Sequence, residues 1–334
     1  MNLYLKSGWL DVRSIISAGY TFNFITGGRG IGKTYGFIKY FIDNDIPFIL
    51  LRRTEIETQL QTDPKTSSVS VYLDTLGTSF HAMLHGKKIR SLYRDDNDHE
   101  ICICAALSTF ASLRGIDLSK YKYILYDEFI TEPHVRALKM EGLALSSAYE
   151  TINRNRELSG EDPVRLFALS NSLNIANDIF MHFDLVTPAE TMIGSGQEVY
   201  TSGRVMLLIL QNSPISKAKA ETALYGAASE EYAKMAIQNQ FILNDFRYVK
   251  KQPLKEYRPV WSVGSLYIYE HKSRPEYYVT FTRAKLAKSQ TYGDNYMDLK
   301  RMQRDHIRTW WNYLDGMIKF DSYKAVSLFE KYFA

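Results

Sequence analysis

The sequence predicts an α/β fold built on a central, mostly parallel sheet, followed by a smaller α+β domain. Three observations carry that prediction. Short apolar runs alternate with helical or loop segments through the first half of the 334 residues, the pattern of a sheet covered on both faces. A glycine-rich segment, Gly27-Gly28-Arg29-Gly30-Ile31-Gly32-Lys33-Thr34, sits between one such run and a helix. Beyond residue 203 the pattern changes to an alanine-containing helical stretch and then to aromatic–polar alternation.

The elements follow in order. Thr21–Thr26 reads as a strand ending in glycines, Thr34–Asp43 as a helix and Phe48–Leu51 as a second buried strand. Residues 58–70 are polar, contain Pro64 and serines, and read as a loop. His85–Glu100 reads as a hairpin carrying Lys87, Lys88 and Arg90, with a turn at Asp95-Asp96-Asn97-Asp98 and Ile101–Leu107 after it. Tyr123–Tyr126 and Leu166–Leu169 are further strands. Ser213–Gln240 reads as helical. Trp261–Glu270 and Glu276–Arg283 form a hairpin around Ser273-Arg274-Pro275. Tyr296–Phe320 reads as one long helix with Lys300, Arg301, Arg304 and Arg308 on a broad face. The expected organisation is a P-loop domain over 1–203, a helical linker over 204–235 and a basic domain over 236–334.

Composition bounds the function. With 45% hydrophobic and 23% charged residues the chain is neither disordered nor fibrous. Its longest apolar runs, such as Val205–Leu210, fall far short of the roughly 18–20 residues that cross a bilayer, so no membrane role is expected. Met1–Lys6 has no basic segment followed by an apolar core, so secretion is not expected. Cys102 and Cys104 would face one side of a strand, which fits a reduced, cytoplasmic setting. The net charge of +4 conceals an asymmetry. Residues 1–203 hold 20 Lys and Arg against 24 Asp and Glu, and residues 204–334 hold 21 against 13. A basic second half points to a polyanionic partner.

The glycine-rich segment matches G-x-x-x-x-G-K-[ST] with the required strand before and helix after. Glycines let backbone N–H groups approach phosphate, and the helix N-terminus adds partial positive charge. Lys33 is placed to meet the β- and γ-phosphates of ATP, and the Thr34 hydroxyl to ligate Mg²⁺. Arg29 is a second cation in the loop. Asp127, ending the YILYD strand, is the expected metal carboxylate, and Glu128 beside it the expected general base. Asn171, after LFALS, is a candidate γ-phosphate sensor or water-positioning group, with Ser170 weaker. Arg154, with Arg156 second, is a candidate arginine finger acting on a neighbouring subunit. Arg52 and Arg53 face nucleotide or polymer, or form a solvated pair. Trp9 and Tyr20 are candidates to contact adenine.

GGRGIGKT, YILYDEF, ETINRNRE and LFALSN, in that order and spacing, resemble the genome-packaging ATPases of small tailed phages with protein-primed linear DNA. The resemblance is specific over about residues 20–175. It implies a RecA-like ATPase of the additional-strand catalytic-glutamate class, followed by an RNase H-like, vestigial-nuclease domain. By resemblance, Gly27–Thr34 cradles the nucleotide, Asp127 holds metal, Glu128 is catalytic and Arg154 is the finger acting in trans. The implied partners are double-stranded DNA, the portal of the procapsid, further copies in a homo-oligomeric ring, expected to be a pentamer, and in some relatives a virus-encoded structural RNA. The implied location is the host cytoplasm, transiently at the portal vertex. Lys65, Lys87, Lys88 and Arg90 in the first domain, and Lys300, Arg301, Arg304 and Arg308 in the second, are the candidate DNA contacts. Two alternatives stand beside this reading: a full terminase with an active nuclease, and an ATP-dependent switch that moves no DNA. Glu270, Asp294, Asp298, Asp305, Asp315 and Asp321 form no acidic pair on one strand, which disfavours the nuclease.

Overall fold

The computed structural model describes the chain outside residues 86–88, 114–116, 131–137, 139, 172–173, 212, 216–248 and 334. The chain divides into two compact units, Met1–Asn174 with Thr191–Leu243, and Ile175–Glu190 with Asn244–Ala334.

The first unit is organised by a nine-stranded sheet. Its elements are α1 (Val12–Ser17), β1 (Phe22–Gly27), α2 (Lys33–Asp43), β2 (Phe48–Arg52), α3 (Glu55–Gln61) and α4 (Ser68–Leu73). There follow β3 (Phe80–His85), β4 (Ile89–Arg94), β5 (Glu100–Ala106), β6 (Tyr123–Asp127), α5 (Glu141–Asn153) and β7 (Arg165–Ser170). Within the expected first domain, α6 (Asp178–His182) belongs to the second unit and α7 (Val186–Ser195) runs from the second unit into the first, after which come β8 (Val199–Ser202) and β9 (Val205–Leu210) of the first unit. The strand order is β3-β4-β5-β2-β6-β7-β1-β9-β8. The stretch from β5 to β9 is parallel throughout. Antiparallel partners finish it, β4 and β3 at one edge and β8 at the other.

The central strands are nearly continuous apolar runs because both faces are covered. On one face Phe41 of α2 packs on Phe48 with centroids 4.7 Å apart, and Phe37 on Phe167 at 4.8 Å. On the other, Tyr149 of α5 packs on Phe22 at 4.7 Å. Cys102 and Cys104 are buried on one face of β5, with their sulfurs 3.9 Å apart. The strand order sets the C-terminal ends of β2, β6, β7 and β1 side by side, and loops beyond such an edge are where open α/β sheets hold ligands.

The second unit holds a five-stranded sheet in the order β13-β10-β11-β12-β14. Here β10 (Tyr257–Val263), β11 (Leu266–His271) and β12 (Tyr277–Thr280) form an antiparallel meander. The two-residue β13 (Thr291–Tyr292) joins β10 in parallel. Helices α8 (Tyr296–Asp305) and α9 (Ile307–Leu314) lead to β14 (Ile318–Phe320), which is parallel to β12, and α10 (Tyr323–Phe333) closes the unit. Trp261, Ile268, Val279, Phe320 and Phe329 form its core. No helix among the described residues is long and apolar enough to cross a membrane.

Five expectations need correction. Residues 58–70 are not one loop: α3 opens with a capping box between Thr54 and Glu57, and the Ser67 side chain caps α4. An extra strand, β3, precedes the expected β4–β5 hairpin. Val205–Leu210 is not linker; it lies in the first sheet beside β1, so the first unit extends past residue 203. Most of the expected linker helix lies outside the described residues. Trp261–Glu270 is two strands, folded back at Gly264 with φ +52. Finally, Tyr296–Phe320 is two helices and a strand. His306 leaves helical geometry at φ −124 and stacks on Trp261 with centroids 4.2 Å apart. That break separates Arg308 from the face carrying Lys300, Arg301 and Arg304.

Candidate nucleotide site

The site begins where β1 runs out. Gly27 has no room for a side chain, because a Cβ there would stand 2.7 Å from Ile31 Cδ1 and 2.9 Å from Leu210 Cβ. Gly32 caps α2 in the left-handed region, at φ +88, where a non-glycine residue is strained. Lys33 is therefore the first helical residue. Its ammonium is buried and donates to the carbonyls of Gly27 at 2.7 Å and Gly28 at 2.9 Å. Those bonds hold the charge at the mouth of the loop, where a phosphate can take one over. Arg29 is exposed at the crest of the loop.

The acidic strand end lies alongside. Thr34 Oγ1 donates to Asp127 Oδ1 at 2.9 Å, bringing together the hydroxyl and carboxylate expected to hold a cation. Hard oxygen donors, few in number and open toward phosphate, suit Mg²⁺, which keeps part of its water shell. Burial pushes the Asp127 carboxyl above the usual aspartate range, against the pull of Arg52. A cation there would favour the ionised form. Asn171 follows β7, between β6 and β1, and is half-buried at the same edge; Ser170 is buried in register with Thr26.

Of the roles open to Arg52 and Arg53 in the sequence, the solvated pair is excluded, because both are buried. Arg52 ends β2 and bridges both carboxylates, Nη1 to Asp127 Oδ2 at 2.6 Å and Nη2 to Glu128 Oε2 at 2.9 Å. Its buried Nε has no hydrogen-bond partner among the described residues. Arg53 is buried against Glu141 at 2.9 Å and donates to the carbonyls of Glu128 at 3.1 Å and Phe129 at 2.9 Å. The signal for both was two cations ending an apolar strand. What the sequence hid was that β2 neighbours β6.

Arg154 lies elsewhere. It caps α5 at φ +45 and approaches Asp117 at 3.5 Å, near the start of β6. Asp127 ends β6, so Arg154 is at the opposite edge of the sheet, on the order of 15 Å from its own phosphate loop at about 3.3 Å per strand residue. Arg156 is no candidate finger: it is buried and donates to the carbonyls of Ser119 and Tyr121. Trp9 flanks the loop, its ring 3.1 Å from where a Gly32 Cβ would be. With Leu5, Tyr35 and Lys39 it lines a largely apolar cavity of about 680 Å³. Tyr20 is at the far edge, before β1, where its carbonyl accepts from Asn23 and Arg165.

Among the candidate DNA contacts, Lys65 is exposed between α3 and α4, and Arg90 is half-buried in β4. Lys87 and Lys88 lie outside the described residues. Lys300, Arg301, Arg304 and Arg308 are exposed, but Arg301 pairs with Asp298 and Arg304 with Asp305, both at 3.1 Å. Of the second-unit acids, Glu270 pairs with Arg258 at 2.7 Å, and Asp321 accepts from Thr280 Oγ1 at 2.6 Å. Trp261 and Tyr269 are core residues, whereas Trp311 is exposed.

The family model of the podovirus DNA encapsidation protein (Gp16) matches residues 4–326. The chain belongs to that family. It is 27% identical over 265 residues to the DNA packaging protein of Bacillus phage PZA, covering 77% of this chain and 73% of that one. In fold it is similar to the Phi-28 gp11 DNA packaging motor, with a TM-score of 0.67, 19% identity and 98% of both chains covered. It is also similar to a chain of the bacteriophage Phi-29 genome packaging motor assembly, with a TM-score of 0.64, 21% identity, and 99% and 100% covered. As a member of this family the chain is a podovirus DNA encapsidation protein, and its first unit has the P-loop fold that the motifs predicted.

Proposed function

We propose that the chain hydrolyses ATP and uses the cycle to drive double-stranded DNA into a procapsid through its portal. One observation supports this above the rest: Lys33, Thr34, Asp127 and Glu128 converge at one sheet edge, with Thr34 on Asp127 at 2.9 Å. Bound Mg²⁺, held by Thr34 and Asp127, would supply charge neutralisation on the phosphates. Lys33 exchanges a loop carbonyl for a phosphate oxygen. Glu128, whose carboxylate is half exposed, accepts the proton of the attacking water once Arg52 releases it. Trp9 and Tyr35 offer apolar surface beside the loop for the adenine ring. Asn171 senses the γ-phosphate, and Arg154 reaches a neighbouring subunit's site in a homo-oligomeric ring, read as a pentamer. Lys65, with Lys87, Lys88 and Arg90 of the hairpin, grips DNA phosphates, which suits a motor that must move any sequence. The basic second domain is read as a non-cleaving surface for nucleic acid, DNA or a structural RNA.

ATP turnover measured with and without double-stranded DNA and empty procapsids tests the reading. Turnover should rise with both, and Glu128→Gln should lower kcat by about 10²-fold or more while nucleotide still binds. Full turnover by Glu128→Gln would exclude Glu128 as the base.

A further inference from the structure

We infer that Arg53 and Glu141 are positioning residues for the catalytic glutamate, a buried clamp that sets the direction of the Glu128 carboxylate through its backbone. The inference rests on Glu128 being the general base.

Successive strand residues point to opposite faces, so a residue continuing β6 beyond Asp127 would point away from it. Glu128 does not continue the strand: its φ is +58, in the left-handed region. A non-glycine residue is strained there and is held only where its surroundings over-determine it. The turn brings both carboxylates onto one guanidinium, that of Arg52, at 2.6 and 2.9 Å.

The surroundings that impose the turn are specific. A single nitrogen of Arg53, Nη2, donates to the carbonyls of Glu128 and Phe129, at 3.1 and 2.9 Å. Two consecutive carbonyls converge on one donor only when the backbone between them is turned. From the other side the Phe129 N–H donates to the Leu169 carbonyl at 3.0 Å. Arg53 is itself fixed by Glu141, the first residue of α5, at 2.9 Å, and the Tyr126 hydroxyl donates to the same Glu141 oxygen at 2.5 Å. The Arg53 and Glu141 side chains are 4% and 6% exposed. A buried ion pair is a weak source of stability, since apolar residues of like volume often serve as well. What an apolar pair cannot supply is a donor for the two carbonyls.

The test uses the full chain. Arg53→Lys keeps the charge but loses the planar fork. Arg53→Met with Glu141→Leu removes the pair as a unit and leaves no orphan charge. DNA-stimulated kcat should fall at least about tenfold in both, with KM for ATP and nucleotide affinity within about twofold of wild type. The paired variant should stay folded at the assay temperature, its midpoint lowered by the carbonyls and the Tyr126 hydroxyl it leaves without partners, while the turnover loss falls on kcat and not on KM, which separates positioning from a structural role. If a folded paired variant turns over at the wild-type rate, the clamp is overturned. If Arg53→Lys fails to fold, the paired variant alone decides. Glu128→Gln is run alongside: full activity there defeats the base assignment, whereas its loss beside an active paired variant defeats only the clamp.

Discussion

Arg52 occupies the centre of the site. Its guanidinium stands against the carboxylate expected to hold metal and the one expected to take the water's proton, so the proposed hydrolysis requires it to move. Replacing it removes the stronger of the two cations acting on buried Asp127 and leaves Lys33. Arg52→Ala should destabilise the nucleotide-free chain by about 3 kcal/mol in urea unfolding, and saturating Mg²⁺ with a non-hydrolysable ATP analogue should recover part of the loss. The deficit also carries a pH signature. Burial already raises the Asp127 carboxyl, and losing Arg52 raises it further. A carboxyl whose folded pKa lies above its unfolded value, about 3.9 for aspartate, favours the folded state most at low pH and loses that advantage as pH rises through the folded value. The gap between variant and wild type should therefore widen between acid and neutral pH; a constant gap would mean that Asp127 is not the group left uncompensated.

At the scale of elements, the turn between β10 and β11 gives the sharpest mutational handle. Gly264 has φ +52, and a Cβ would collide with the Tyr332 hydroxyl from α10. Gly264→Ala should cost about 2 kcal/mol, strain and displacement together, read as a lower unfolding midpoint of the full chain. That turn also explains what could be read in advance. The phosphate loop, the acidic strand and the LFALS strand were legible because each pairs an apolar run with a chemical terminus. Gly264 leaves no mark in the pattern because alternation continues across it: Trp261 and Ile268 face the same core. The break at His306 escaped for a similar reason, since helical periodicity does not register a ring stacking on a strand residue. Arg52 and Arg53 were visible as cations but not as clamps, because strand order is a long-range property that two adjacent arginines do not encode. The short helices α3 and α4 were hidden by polar composition, although Thr54 and Glu57 already spelled a capping box.

For the whole molecule, the opposite-edge position of Arg154 makes a single subunit incomplete under the proposed cycle. Arg154→Ala subunits mixed into wild type should depress ATP turnover beyond their mole fraction, because each spoils a neighbour's site as well as occupying a place; a strictly proportional loss would remove Arg154 from the trans role. The path of the chain through the sheet carries a separate consequence. β9 lies beside β1, and Leu210 walls the glycine at the start of the phosphate loop. During synthesis that loop leaves the ribosome long before its wall does. Until Leu210 has emerged, β1 is a bare parallel edge and the loop lacks one side, so a nascent or truncated chain ending near residue 203 carries the whole nucleotide signature in its sequence without the means to close it.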